Sequence, residues 1–161
     1  MKPDDAKWKV QLSSTSISNG DFSCDTVPHG DSPVQGHARC ILCVDDEVLG
    51  TSMRADILRE HGYSVVVYHS PLEATRCDLS MFNLAILDFE MPGLNGRQLF
   101  MRIRAMGARF PIVLLTGCLE ALSREDRSLF SRCLDKAMPM HYLLDTIAEF
   151  LDPNQIPDFG S

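Results

Sequence analysis

Five polar side chains stand where they could act together: Asp45, Asp46, Asp88, Thr116 and Lys136. Each closes or follows a short apolar run: CILCV before Asp45, LAIL before Asp88, IVLL before Thr116, and a weaker stretch from Phe130 to Leu134 before Lys136. If these runs are strands of one open parallel sheet, their carboxyl ends share an edge, and that edge is where ligands bind in such sheets. Carboxylates meeting there repel one another, and two at 4 Å cost about 4 kcal/mol at an effective dielectric near 20. A divalent cation relieves the repulsion, and hard oxygen ligands with water favour Mg2+. With the Thr116 hydroxyl and the Lys136 ammonium on the same edge, the set suits phosphoryl transfer. The cations neutralise phosphoryl oxygens, the hydroxyl donates a hydrogen bond, and a carboxylate acts as nucleophile to form an acyl phosphate.

The elements that must position these groups are legible from Arg39 onward, where short apolar runs alternate with segments of helical period, the pattern of a βαβ chain. Cys40 to Val44, Tyr63 to Tyr68, Leu84 to Leu87, Ile112 to Leu115 and Phe130 to Leu134 are the strand candidates. The first, third and fourth are nearly all apolar, as central strands covered on both faces are. Leu49, Met53 and Ile57 recur every four residues in a helix ended by Gly62. Leu99, Ile103 and Met106 mark a helix stopped by Gly107, and Leu143, Leu144, Ile147 and Leu151 mark the last, which Pro139 opens in its first turn. Pro71 to Cys77 and Leu119 to Asp126 read as shorter helices, and Met53 and Met106 read as core residues. The expected fold is α/β, a doubly wound five-stranded parallel sheet with five helices.

A chain of 161 residues that is 45% hydrophobic and 23% charged suits one domain with room for a tail. Residues 1–38, rich in Ser, Asp, Gly and Pro, read as a flexible tail in which Trp8, Val10 and Leu12 alternate with polar residues as a short strand or docking peptide could. Residues 39–152 read as the domain and 153–161 as a tail or the start of a linker. With 15 Lys and Arg against 22 acids and a net charge of -7, the composition argues against nucleic-acid binding. No apolar run approaches the roughly 20 residues that span a bilayer. The N-terminus also lacks a signal-peptide pattern, so the expectation is a cytoplasmic, membrane-free protein whose six cysteines are reduced. Cys40 and Cys43 form a CxxC after His37, but a strand of period two points the two thiols to opposite faces, which makes them poor common ligands.

The motifs VDDE at Val44 to Glu47, LDFEMPGLNG at Leu87 to Gly96, LLTG at Leu114 to Gly117 and LDK at Leu134 to Lys136 resemble the receiver domain of bacterial two-component response regulators, over roughly Arg39 to Leu151. The resemblance implies a flavodoxin-like fold and a phosphoacceptor, Asp88, that takes its phosphoryl group from a sensor histidine kinase or a phosphotransfer protein. It implies Mg2+ held directly by Asp46 and Asp88, by Asp45 through water and by the backbone carbonyl of Glu90. Thr116 would be the switch and Lys136 the partner of a phosphoryl oxygen, with Pro92, Gly93 and Gly96 supplying the turns of the Met91 to Gly96 loop. Downstream, it implies a protein target or a fused output domain, and it leaves homodimerisation open.

Two positions depart from the pattern. Cys133 stands three residues before the lysine, where receivers usually carry an aromatic ring. Ala137 stands where proline usually follows the lysine in a cis peptide, and since a non-proline cis bond costs about 2.5 to 4 kcal/mol, a trans bond is expected here. These departures motivate an alternative, a pseudo-receiver that binds partners independently of phosphate. A Mg2+-dependent phosphohydrolase would need a second Asp two residues after the nucleophile, and that position is Glu90.

Overall fold

In a computed structural model of the chain, residues 39–152 are described. The readings of 1–38 as a tail and of 153–161 as a tail or linker lie outside the described residues. Five parallel strands, β1 (Cys40–Val44), β2 (Ser64–Tyr68), β3 (Leu84–Asp88), β4 (Ile112–Thr116) and β5 (Arg132–Asp135), form one sheet in the order β2-β1-β3-β4-β5. The helices are α1 (Val48–Glu60), α2 (Pro71–Ala74), α3 (Gly96–Ala105), α4 (Arg124–Leu129) and α5 (Met140–Leu151). This is the doubly wound α/β fold that the alternation of runs predicts. The chain leaves β1 toward β2 and then returns to place β3 on the other side of β1, so the strand order reverses between β1 and β3. A crevice opens beyond the strand ends at such a reversal.

Two apolar layers flank the sheet. Leu42, Val44, Ala85, Leu87, Ile112 and Leu114 point to one side, against Leu99, Phe100 and Ile103 of α3. Ile41, Cys43, Leu84, Ile86, Val113 and Leu115 point to the other, against Leu58 of α1 and Leu143, Ile147 and Leu151 of α5. All of β1, β3 and β4 is buried, which is why their sequences read as continuous apolar runs rather than as alternations. Cys40 and Cys43 fall in opposite layers, as the strand period requires, and burial pushes the Cys43 thiol up to about 12.

Helix ends follow local chemistry. Gly62 and Gly107 take φ of 87° and 94° just beyond α1 and α3, the left-handed positions that end helices cheaply only at glycine. Asn95 and Gln98 form a reciprocal capping box that starts α3 immediately after the Asp88 loop.

Several sequence expectations are corrected. Leu49 and Met53 do not face the core; they are 76% and 67% exposed, and α1 buries Thr51, Ala55 and Leu58 instead. The first two members of the apolar recurrence on α1 therefore lie on its outward side, and Ile57 is half-buried. Met106 is likewise exposed at the end of α3. The expected helix from Leu119 to Asp126 is split: a 3-10 turn covers Leu119–Ala121, and the Ser123 hydroxyl, accepting from the Asp126 amide, starts α4 afresh. The last strand begins at Arg132, because Phe130 leaves the sheet to pack edge-on against Phe100 with ring centroids 5.2 Å apart. Pro139 caps α5 rather than lying inside its first turn. No cis peptide occurs among the described residues, so the bond between Lys136 and Ala137 is trans, as its sequence implies.

Candidate functional site

The carboxyl ends of β1, β3, β4 and β5 bring the five predicted polar residues to one edge. Asp88 is the last residue of β3 and Thr116 the last of β4, Asp45 and Asp46 follow β1 directly, and Lys136 follows β5. Asp45 and Asp88 are buried and Asp46 is exposed, and one carboxylate oxygen from each lies within 4.8 Å of the other two. Glu90, two residues past β3, is exposed and its side chain stands apart from this cluster.

Lys136 ties the cluster together. Its Nζ lies 3.0 Å from Asp45 Oδ2 and 3.0 Å from Asp88 Oδ2. Two backbone contacts aim it there: the Lys136 amide donates to the Thr116 carbonyl at 2.8 Å, and the Asp135 carboxylate accepts from the Ala137 amide at 2.8 Å, turning the chain without a proline. Partial burial pulls the ammonium pKa down, but the bonds to Asp45 and Asp88 outweigh it and leave it raised. Burial also pushes the Asp88 carboxyl up, assisted by the neighbouring Asp45 charge and opposed by Lys136.

Thr116 is buried, and its hydroxyl oxygen accepts from the Cys118 amide at 3.2 Å. Asp45 is satisfied on both oxygens, Oδ1 by the Glu47 amide at 3.0 Å and Oδ2 by Lys136 and by Arg54 Nη1 at 3.4 Å. Asp88 Oδ1, by contrast, is buried with no hydrogen-bond partner. A buried anionic oxygen without a partner is costly, and here it faces a cluster of other carboxylates. The hard, anionic oxygens and the orphaned Oδ1 fit a small divalent cation such as Mg2+.

Gly96 shapes this edge by its lack of a side chain. A Cβ there would come within 2.5 Å of the Asp88 carbonyl oxygen and 2.9 Å of Phe89 Cα. Gly96, expected to supply a turn of the loop, is instead the first residue of α3 and is needed for close approach, and it is Gly93 that takes a positive φ, 83°. Gly96→Ala is expected to cost about 1–3 kcal/mol, because the obstacle is backbone that cannot rotate away. It should also displace Asp88. Urea unfolding together with amide shifts at Asp88 and Phe89 checks both effects.

Arg54 is the site residue that sequence reasoning missed. It was hidden on a helix whose apparent apolar face was the outward one. A signal was present, since position 54 shares the stripe of Thr51, Ala55 and Leu58 at spacings of three, four and seven, where an Arg has to find a partner.

Comparison with known proteins agrees with this geometry. The family model of the response regulator receiver domain matches residues 41–146, and the chain belongs to that family. It is a receiver-domain signalling fold of two-component systems. The sensor protein GacS of Pseudomonas syringae pv. syringae is 32% identical over 123 residues, covering 73% of this chain and 13% of that protein. The regulatory protein VanR of Enterococcus faecium is 38% identical over 78 residues, covering 48% and 33%. The chain thus spans a third or less of the length of these two curated relatives. The response regulator TrrA from Thermotoga maritima, solved in complex with Mg2+ and BeF, superposes with a TM-score of 0.65 at 28% identity, covering 70% of this chain and 99% of that one.

Proposed function

We propose that this domain accepts a phosphoryl group on Asp88 in a Mg2+-dependent reaction and signals by conformational change. The observation that carries the reading is the buried, unpartnered Asp88 Oδ1 among three carboxylates, beside a lysine already bridging two of them. Asp46 and Asp88 would hold the cation directly, Asp45 through water and Glu90 through its carbonyl. The cation supplies positive charge to the phosphoryl oxygens. Asp88 provides the nucleophile: a carboxylate oxygen attacks phosphorus, the bond to the donor imidazole breaks, and the electron pair leaves with the imidazole. Lys136 pairs with a phosphoryl oxygen, and the Thr116 hydroxyl turns from the Cys118 amide toward another. The donor is a sensor histidine kinase or phosphotransfer protein in the cytoplasm, and the receiver, residues 39–152, acts on a downstream protein or a fused output domain. Among the described residues no helix is long and apolar enough to cross a membrane.

The reading predicts that Mg2+ raises stability. A ligand that binds only the folded state at about 100 times Kd adds roughly 2.7 kcal/mol. The melting temperature should rise with Mg2+ in the native protein and not in Asp46→Ala; an unchanged rise in that variant would place the cation elsewhere.

A second reading, a phosphate-independent binding module, is favoured by one observation. Cys133 is half-buried with its Sγ 3.8 Å from the Arg127 carbonyl, while the nearest ring in sequence, Phe130, is fixed against Phe100. Unaltered amide shifts throughout the β4–α4 loop on addition of beryllofluoride with Mg2+ would select it.

A further inference from the structure

We propose that Arg54 is a built-in cation of the acidic pocket that weakens divalent-cation binding and holds the metal-free site together. The inference rests on the metal reading above and adds a residue to it.

Arg54 lies on the buried stripe of α1 with Thr51, Ala55 and Leu58, and its side chain is only 13% exposed. A guanidinium taken out of water in this way needs a partner, and it finds Asp45 Oδ2 at 3.4 Å, the same oxygen that Lys136 meets at 3.0 Å. Asp45 therefore faces two fixed cations, and its other oxygen is occupied by the Glu47 amide. Three carboxylates and one lysine would leave the pocket with two net negative charges; Arg54 reduces that to one. Guanidinium does not lose its proton in the physiological range, so this charge is permanent. A divalent cation entering between Asp45, Asp46 and Asp88 meets an Arg that has already neutralised part of the field attracting it. Among the described residues the Arg54 guanidinium pairs with Asp45, whereas the Lys136 ammonium pairs with both Asp45 and Asp88. It acts on the site through Asp45 and is a positioning residue.

The test compares native protein, Arg54→Met and Arg54→Lys by thermal midpoint across a Mg2+ series, which yields a dissociation constant from the concentration dependence. Arg54→Gln replaces Arg54→Met if the latter fails to fold by far-UV circular dichroism. The expected result is Mg2+ binding about tenfold tighter in the neutral variant, with a lower midpoint than native in EDTA and a gap that narrows as Mg2+ saturates. Arg54→Lys should stay near native on both counts, because the charge is what matters. If the native protein responds to Mg2+ and the neutral variant binds it equally or more weakly, the inference falls and the metal site stands. Equal tightening in Arg54→Lys and the neutral variant would make the effect steric and also overturn it. If neither the native protein nor any variant responds to Mg2+, the inference and the metal reading fall together.

Discussion

Asp88→Asn is expected to abolish phosphorylation by small phosphodonors while leaving the fold intact. The substitution keeps the shape of the side chain at the end of β3 but replaces the carboxylate proposed as nucleophile with an amide that forms no stable acyl phosphate. Its effect on stability is expected to be opposite in sign to its effect on chemistry. Burial and the Asp45 charge raise the Asp88 pKa despite Lys136. For an acid raised in the folded state, the native protein holds its proton more tightly than the unfolded chain, so stability is lost as pH climbs from the ordinary carboxylate range through the raised value. The native protein carries that loss above the raised value, and Asp88→Asn does not carry it at any pH. Without metal, the variant should be more stable by about 1 kcal/mol at neutral pH, since one of three clustered charges is gone. The difference should close below about pH 4, where the native Asp88 is protonated in both states. Intact mass after acetyl phosphate treatment reads the first effect and EDTA melts at several pH values the second. A lower midpoint for the variant at pH 7 would contradict the clustered-charge account.

Lys136→Met should produce the largest loss of stability among the site substitutions. The ammonium is within 3.0 Å of two buried carboxylates, and removing it leaves both without their main counter-charge. Breaking a fully buried pair costs about 3–5 kcal/mol. Lys136 retains 24% side-chain exposure, so water and Arg54 compensate in part, and about 2–3 kcal/mol is expected. The pH sign differs from that of Asp88. The Lys136 pKa is raised on folding, so its contribution is complete below the ordinary lysine value and is lost only as pH rises through the higher folded one. The variant's deficit should thus be constant through neutral pH. Saturating Mg2+ should narrow it, because a cation then takes over part of the neutralisation. Urea unfolding with EDTA and with excess Mg2+ measures both quantities. A deficit unaffected by Mg2+ would separate Lys136 from the carboxylates proposed to hold the metal.

The site was legible in the sequence because its residues stand at the ends of strands buried on both faces. β1, β3 and β4 announce themselves as apolar runs, and each fixes where its flanking Asp or Thr must lie. The strand order and the reversal between β1 and β3 come from the structure, because right-handed βαβ winding fixes the hand of each crossover and not the side of β1 on which the next strand is laid. What stayed hidden depends on side-chain direction on helices. On α1 the exposed Leu49 and Met53 mimic a core stripe, while the real one carries Thr51, Arg54 and Ala55, residues that hydropathy does not mark as buried. The same masking concealed Arg54 at the site. Near β5, the Ser123 cap and the Phe130–Phe100 contact moved the boundaries of α4 and the last strand, and neither could be seen without knowing what lies across the fold.

The central claim is that Asp88 receives a phosphoryl group with the help of a divalent cation. Incubation with acetyl phosphate and Mg2+, followed by hydroxylamine treatment and peptide mass mapping, tests it most directly. The account predicts a single phosphoryl adduct per chain, labile to hydroxylamine, located at Asp88 and absent when the metal is chelated. Full labelling of Asp88→Asn, or an adduct mapped to any other residue, would contradict it.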